Sequence, residues 1–184
     1  MGQHQDIVLG GGAGSECARI CPEGQIRAHF DFRGTIVQME KIIKTLAELE
    51  AEAGRFVREL VPQENKATLV TLSGELGAGK TAFTQAVARA LGVGETVTSP
   101  TFVLEKIYQL GSRTSKFKRL IHIDAYRLEK GADLAPLGFD EIIQDSGNLI
   151  LFEWPEKVDG ALPPPAVKIS IIANPDGSRT ISYE

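Results

Sequence analysis

Residues 74–81 read Gly-Glu-Leu-Gly-Ala-Gly-Lys-Thr and satisfy the pattern G-x-x-x-x-G-K-[ST] at Gly74, Gly79, Lys80 and Thr81. The pattern is restrictive because each position has a mechanical duty. Glycines let main-chain N–H groups curl around a polyphosphate, a lysine neutralises the outer phosphates, and a hydroxyl ligates Mg²⁺. The flanks supply the context such a loop needs. Residues 67–72 (ATLVTL) are a short apolar, β-branched run, which predicts a buried strand. From Lys80 to Leu91, the side chains of Phe83, Val87, Ala90 and Leu91 fall on one stripe and Gly92 ends the segment, which predicts a helix. Strand, glycine turn and helix together aim a helix N-terminus and its partial positive charge at phosphate.

The rest of the chain divides at about residue 35. Residues 1–35 hold a glycine cluster (Gly10, Gly11, Gly12, Gly14) and no sustained apolar period, so a poorly ordered extension or leader is expected there. The compact domain is expected over residues 36–184. Ile42 and Ile43 sit in a short extended stretch, and Thr45 with Glu48 forms a capping-box signature. Leu46, Leu49, Ala53, Phe56, Val57 and Leu60 then recur at helical spacing with charges on the other face, before Pro62. Pro100 marks a turn, residues 102–110 and 120–124 read as paired strands, and residues 134–144 as a short helical region. The loop between those strands carries Arg113, Lys116, Lys118 and Arg119. A solvated hairpin loop is its ordinary reading, and contact with an acidic partner or RNA backbone its functional one. Residues 148–152 (NLILF) suit a central parallel strand covered on both faces. Residues 167–173 and 179–183 flank Asn174-Pro175-Asp176-Gly177, a hairpin signal. The whole predicts a three-layer α/β domain of the P-loop NTPase type, with a mixed, mostly parallel central sheet and a C-terminal β-hairpin.

A triphosphate also needs a divalent cation, and in phosphate-loop enzymes an acidic group stands at the end of a neighbouring apolar strand. Glu153 and Asp124 both meet that specification, each closing an apolar run at the carboxyl end where open α/β sheets bind ligands. Sequence physics leaves open which of the two faces the metal and which holds water. Thr101, in the loop after the phosphate-binding helix, has the position of a hydroxyl that senses a terminal phosphate.

Residues 74–81, Ser99-Pro-Thr-Phe102, His122-Ile-Asp-Ala-Tyr-Arg-Leu128 and Glu153-Trp154, in this order and spacing, resemble the bacterial TsaE family. The family is the ATPase component of the machinery that makes threonylcarbamoyladenosine on tRNA. The resemblance spans residues 45 to about 155 and implies ATP/ADP and Mg²⁺ as ligands. It implies that Glu75, Leu76, Gly77, Ala78, Gly79, Lys80 and Thr81 wrap the phosphates, with Thr81 and Glu153 at the metal. It further implies that Asp124 orients or activates water, that Thr101 belongs to the phosphate-sensing loop, and that Trp154 packs beside the nucleotide and couples it to a partner surface. Thr45 would lie close to the adenine. Partners of the TsaB and TsaD type are implied, with tRNA contacted at most indirectly. Glu75 stands where the family often has aspartate, and Ile123 and Ala125 where it often has bulkier apolar residues.

Composition narrows the alternatives. Hydrophobic content of 42%, charged content of 24% and a net charge of −4 describe an ordinary soluble domain without broad attraction to nucleic acid. No apolar run approaches the roughly 20 residues that cross a bilayer, and no secretion-signal plan opens the chain. Cys17 and Cys21 are expected as free thiols of a cytoplasmic protein, since a lone C-x-x-x-C lacks a second ligand pair. A small-molecule or nucleotide kinase is a second reading, with Arg113 and Arg119 as clamps. A GTP-operated switch is a third. It usually needs Asn-Lys-x-Asp after the loop, whereas Asn65-Lys66 precedes it and lacks the aspartate.

Overall fold

The computed structural model describes residues 17–20, 26–30, 36–111, 115–158 and 160–184. They contain strands β1 (Cys17–Ile20), β2 (Ile26–Phe30), β3 (Ile36–Ile43), β4 (Thr68–Ser73), β5 (Glu105–Gln109), β6 (Arg119–Asp124), β7 (Asn148–Glu153), β8 (Val167–Ala173) and β9 (Arg179–Tyr183), with helices α1 (Leu46–Glu59), α2 (Lys80–Ala90) and α3 (Phe139–Ile142). The strands form one sheet in the order β1-β2-β3-β9-β8-β4-β7-β6-β5. Its centre is parallel: β8, β4, β7 and β6 run in one direction, while the flanking pairs are antiparallel. The P-loop octet thus leaves the middle of the sheet, and β8 and β9 close the expected hairpin.

Alternation along the central strands divides the core in two. Val70, Leu72, Leu120, Leu149 and Leu151 pack beneath α1 and α2. Leu69, Ile121, Ile123, Ile150 and Phe152 pack on the other face against Leu134, Phe139 and Val158 from α3 and the neighbouring 3₁₀ turns. Three layers result, and β7, covered on both faces, is buried along its whole length.

Within the segment expected to be irregular, the described pieces β1 and β2 are strands that extend the sheet beyond β3. The glycine cluster at residues 10–14, Cys21 and Arg113 lie outside the described residues. Two other local expectations differ from the structure. Residues 102–104 are turn and bend rather than strand: Leu104 takes φ 66°, and Phe102 and Val103 are exposed. The hairpin loop is not simply solvated. Lys116 Nζ donates to Arg58 O (2.8 Å) and Leu60 O (3.2 Å), closing the end of α1.

Helix α1 starts at its capping signature, with Thr45 Oγ1 accepting from Glu48 N at 3.2 Å; the Glu48 side chain reaches back one residue past the N-cap and accepts from Lys44 N (2.8 Å). Leu46 is 59% exposed, so the apolar stripe makes core contact only from Leu49 onward. On the side expected to be charged and exposed, Glu52 is fully buried. It accepts from Lys41 Nζ (2.7 Å), Arg55 Nη2 (2.5 Å) and Tyr183 Oη (2.7 Å), tying α1 to β3 and β9.

Candidate functional site

The chain leaves β4 at Gly74 with φ 142°, and a Cβ there would stand 2.3 Å from Ile171 O, so the turn off the strand requires glycine. Gly79 (φ 114°) is the N-cap of α2 and carries no side-chain cap bond, which suits that helix end to an anion. Lys80 begins the helix and is 4% exposed. Its Nζ donates to Gly74 O (2.7 Å) and Glu75 O (3.0 Å) and lies 3.6 Å from the centre of the Trp154 ring. Burial lowers its pKa below that of an ordinary lysine, against the pull of Glu153, Glu156 and Asp124.

The carboxylates come from register. Parallel pairing of β6 with β7 sets Asp124 opposite Glu153 at the carboxyl ends of both strands. Alternation places His122, Asp124 and Glu153 on the same face as Leu120 and Leu151, toward α2. Glu153, 2% exposed, accepts from Thr81 Oγ1 at 3.2 Å through Oε2 and bonds His122 Nε2 at 2.7 Å through Oε1. Asp124, 3% exposed, accepts from Thr101 Oγ1 (2.5 Å) and Ser99 Oγ (3.1 Å) through Oδ2, and from Tyr126 N (3.0 Å) through Oδ1. Trp154 follows Glu153 in a left-handed conformation (φ 62°), with its main-chain N–H donating to Leu72 O at 3.1 Å and its ring 5.1 Å from that of Tyr126.

These groups border a cavity of about 300 Å³. From the loop side come Leu76, Gly77, Gly79, Lys80 and Thr81, and from the opposite wall Thr101, Asp124, Glu153 and Trp154. Glu75 and Ala78 support the loop from outside the lining: Glu75 O holds Lys80, and Ala78 O accepts from Arg179 Nε at 2.9 Å. Thr45 does not line the cavity. It lies beyond β3, whose Ile43 pairs with Arg179, and so it sits on the side of the loop that Arg179 braces.

Four contributors were missed from sequence. Ser99, His122 and Tyr126 stand inside the motifs already singled out, so their spacing beside Thr101 and Asp124 was the available signal. Arg179 offered none, because its bond to Ala78 spans 101 positions and exists only once the hairpin has folded back. Arg119, a clamp in the kinase reading, is bound elsewhere: it donates to Asn148 Oδ1 (2.9 Å) and pairs with Asp145.

Strand, glycine loop, helix and two carboxylates at the ends of adjacent parallel strands define a P-loop NTPase fold. The crystal structure of Bacillus subtilis YdiB is similar, with a TM-score of 0.62, 28% identity, and coverage of 81% of this chain and 86% of that one. The family model described as "Threonylcarbamoyl adenosine biosynthesis protein TsaE" matches residues 44–181. A protein of Treponema pallidum named tRNA threonylcarbamoyladenosine biosynthesis protein TsaE is 39% identical over 115 residues, covering 62% of this chain and 80% of its own length. Its namesake in Bacillus subtilis is 37% identical over 115 residues, covering 62% and 68%. The chain belongs to the TsaE family.

Proposed function

We propose that the protein is the ATP-binding, Mg²⁺-dependent and slowly hydrolysing component of the assembly that forms N6-threonylcarbamoyladenosine in tRNA, its hydrolysis resetting that assembly. The family supports the pathway. The observation that carries the chemistry is the convergence of Lys80, Thr81, Asp124 and Glu153 on one cavity at the uncapped start of α2.

The donor set fits Mg²⁺. Among the described residues no group of three or more His, Cys, Asp or Glu could cage a metal. Mg²⁺ instead favours one or two protein oxygens completed by phosphates and water, and Thr81 Oγ1 beside Glu153 Oε2 offers that pair. When bound, the ion would neutralise charge developing on the phosphates. The residues then divide the work. Residues 75–81 wrap the phosphates, and Lys80 must leave its carbonyl partners to reach the outer pair. Asp124 orients water, while Thr101 and Ser99 hold its Oδ2, an arrangement that supports low turnover by the isolated chain. Thr45 lies toward the adenine side and Trp154 between the loop and a partner surface. TsaB and TsaD type subunits are the proposed partners and the cytoplasm the proposed site of action; no helix among the described residues is long and apolar enough to cross a membrane.

The test is nucleotide turnover measured for the protein alone and with those partners. Turnover that rises with the partners and prefers ATP over GTP supports the reading. Turnover indifferent to them removes the resetting role.

A further inference from the structure

We propose that His122 is a positioning residue: it fixes the plane of the Glu153 carboxylate so that Oε2 faces the metal. The inference rests on the proposed pairing of Thr81 with Glu153 at that metal.

His122 is fully buried in the middle of β6, on the face where its strand neighbour Leu120 and its cross-strand partner Leu151 are apolar core residues. A branched apolar side chain would suit that position if packing were the only demand. The imidazole instead bonds Glu153 Oε1 through Nε2 at 2.7 Å, and its Nδ1 is buried with no hydrogen-bond partner. Burying an imidazole on an apolar face costs desolvation that packing alone does not demand, and its one side-chain bond goes to Glu153.

The geometry says which function. The terminal torsion of a glutamate is broad and roughly two-fold, so one contact leaves the carboxylate free to swing. Here it is held at both oxygens, His122 on Oε1 and Thr81 on Oε2. If Oε2 and the Thr81 hydroxyl both turn to the metal, His122 is the contact that still defines the carboxylate plane. Groups that orient a metal ligand in this way typically control metal affinity by tenfold to a hundredfold. Nucleotide contacts made by residues 75–80 do not pass through His122.

The experiment compares wild type with His122→Leu, which keeps bulk but removes the donor, and His122→Gln, whose Nε2 can reach the same oxygen. Mn²⁺ affinity for the protein–ADP complex is read by electron paramagnetic resonance, and ADP affinity in EDTA by calorimetry. The expected result is Mn²⁺ binding weakened about tenfold or more in His122→Leu, largely regained in His122→Gln, with metal-free ADP affinity unchanged in both. Unchanged Mn²⁺ affinity in His122→Leu, or no recovery in His122→Gln, overturns the positioning role. Glu153→Gln serves as the reference. If it too leaves Mn²⁺ affinity intact, the metal pair itself is wrong, and the inference goes with it. Should the leucine variant not fold, nitrogen-15 NMR of the wild type decides. A protected Nε2–H resonance that moves when Mg²⁺ is added to the ADP complex supports the role, and its absence refutes it.

Discussion

Replacing Glu52 by glutamine tests the interior that seats the phosphate-loop side of the molecule. Glu52 is the hub of a buried cluster linking α1, β3 and β9. Burial alone would raise its pKa; hydrogen bonds from Arg55, Lys41 and Tyr183, with the charge of Arg55, outweigh that and bring it from an ordinary 4.5 to about 2. A depression of that size corresponds to about 3 kcal/mol of folding stability at neutral pH. Breaking a buried charge pair from one side costs roughly 3–5 kcal/mol. The lower end applies here, because the Lys41 and Arg55 side chains are 19% and 22% exposed and Arg55 also pairs with Glu59. Glu52→Gln should therefore lose about 3 kcal/mol, and its Tm should fall by roughly 6–12 °C for a chain of this length. The pH dependence fixes the cause. A carboxyl with a depressed pKa stabilises fully above its unfolded value of 4.5 and loses that contribution as pH falls toward 2. In calorimetric unfolding the gap between wild type and variant should stay constant above about pH 5 and close between pH 4.5 and 2. A variant as stable as wild type at pH 7, or a gap that persists at pH 2, would refute the electrostatic account.

Three further substitutions probe the site. Lys80→Ala should weaken triphosphate binding by about 2–3 kcal/mol, since charge-assisted hydrogen bonds are lost, which isothermal calorimetry would show as a Kd roughly 30–140-fold higher. Asp124→Asn should cut ATP turnover by about a hundredfold or more while ATP affinity stays within about threefold, as single-turnover assays and calorimetry can separate. Gly74→Ala should destabilise by about 2 kcal/mol or more, because its Cβ meets Ile171 O at 2.3 Å in a backbone region closed to side chains. A thermal melt unchanged from wild type would show that the loop tolerates the clash by shifting.

Local signals carried much of the fold. The octet, the apolar runs of β4 and β7 and the Asn174–Gly177 turn each state their structure within a few residues, and all appear where expected. The capping signature at Thr45 likewise places the start of α1. What was hidden is non-local. Glu52 reads as one more surface charge on an amphipathic helix until Tyr183, 131 positions away, is folded against it. Lys116 reads as a solvated loop cation until the end of α1 presents two carbonyls to it. Phe102 and Val103 look like strand residues because they are apolar. The turn at Pro100 and the bonds from Ser99 and Thr101 to Asp124 hold that segment off the sheet. Strand ends single out Asp124 and Glu153 as candidates, but the different partners that separate them, Thr101 in the loop beyond α2 for one and Thr81 on α2 for the other, exist only in the folded chain.

The bond from Arg179 to Ala78 has a bearing on how the chain matures. A ribosome emits the phosphate-binding loop 101 residues ahead of the side chain that braces it. Until β9 slots between β3 and β8, that brace is missing and no strand joins β3 to the parallel centre of the sheet. Competence to hold nucleotide should thus await the docking of β9 rather than the emergence of the loop itself.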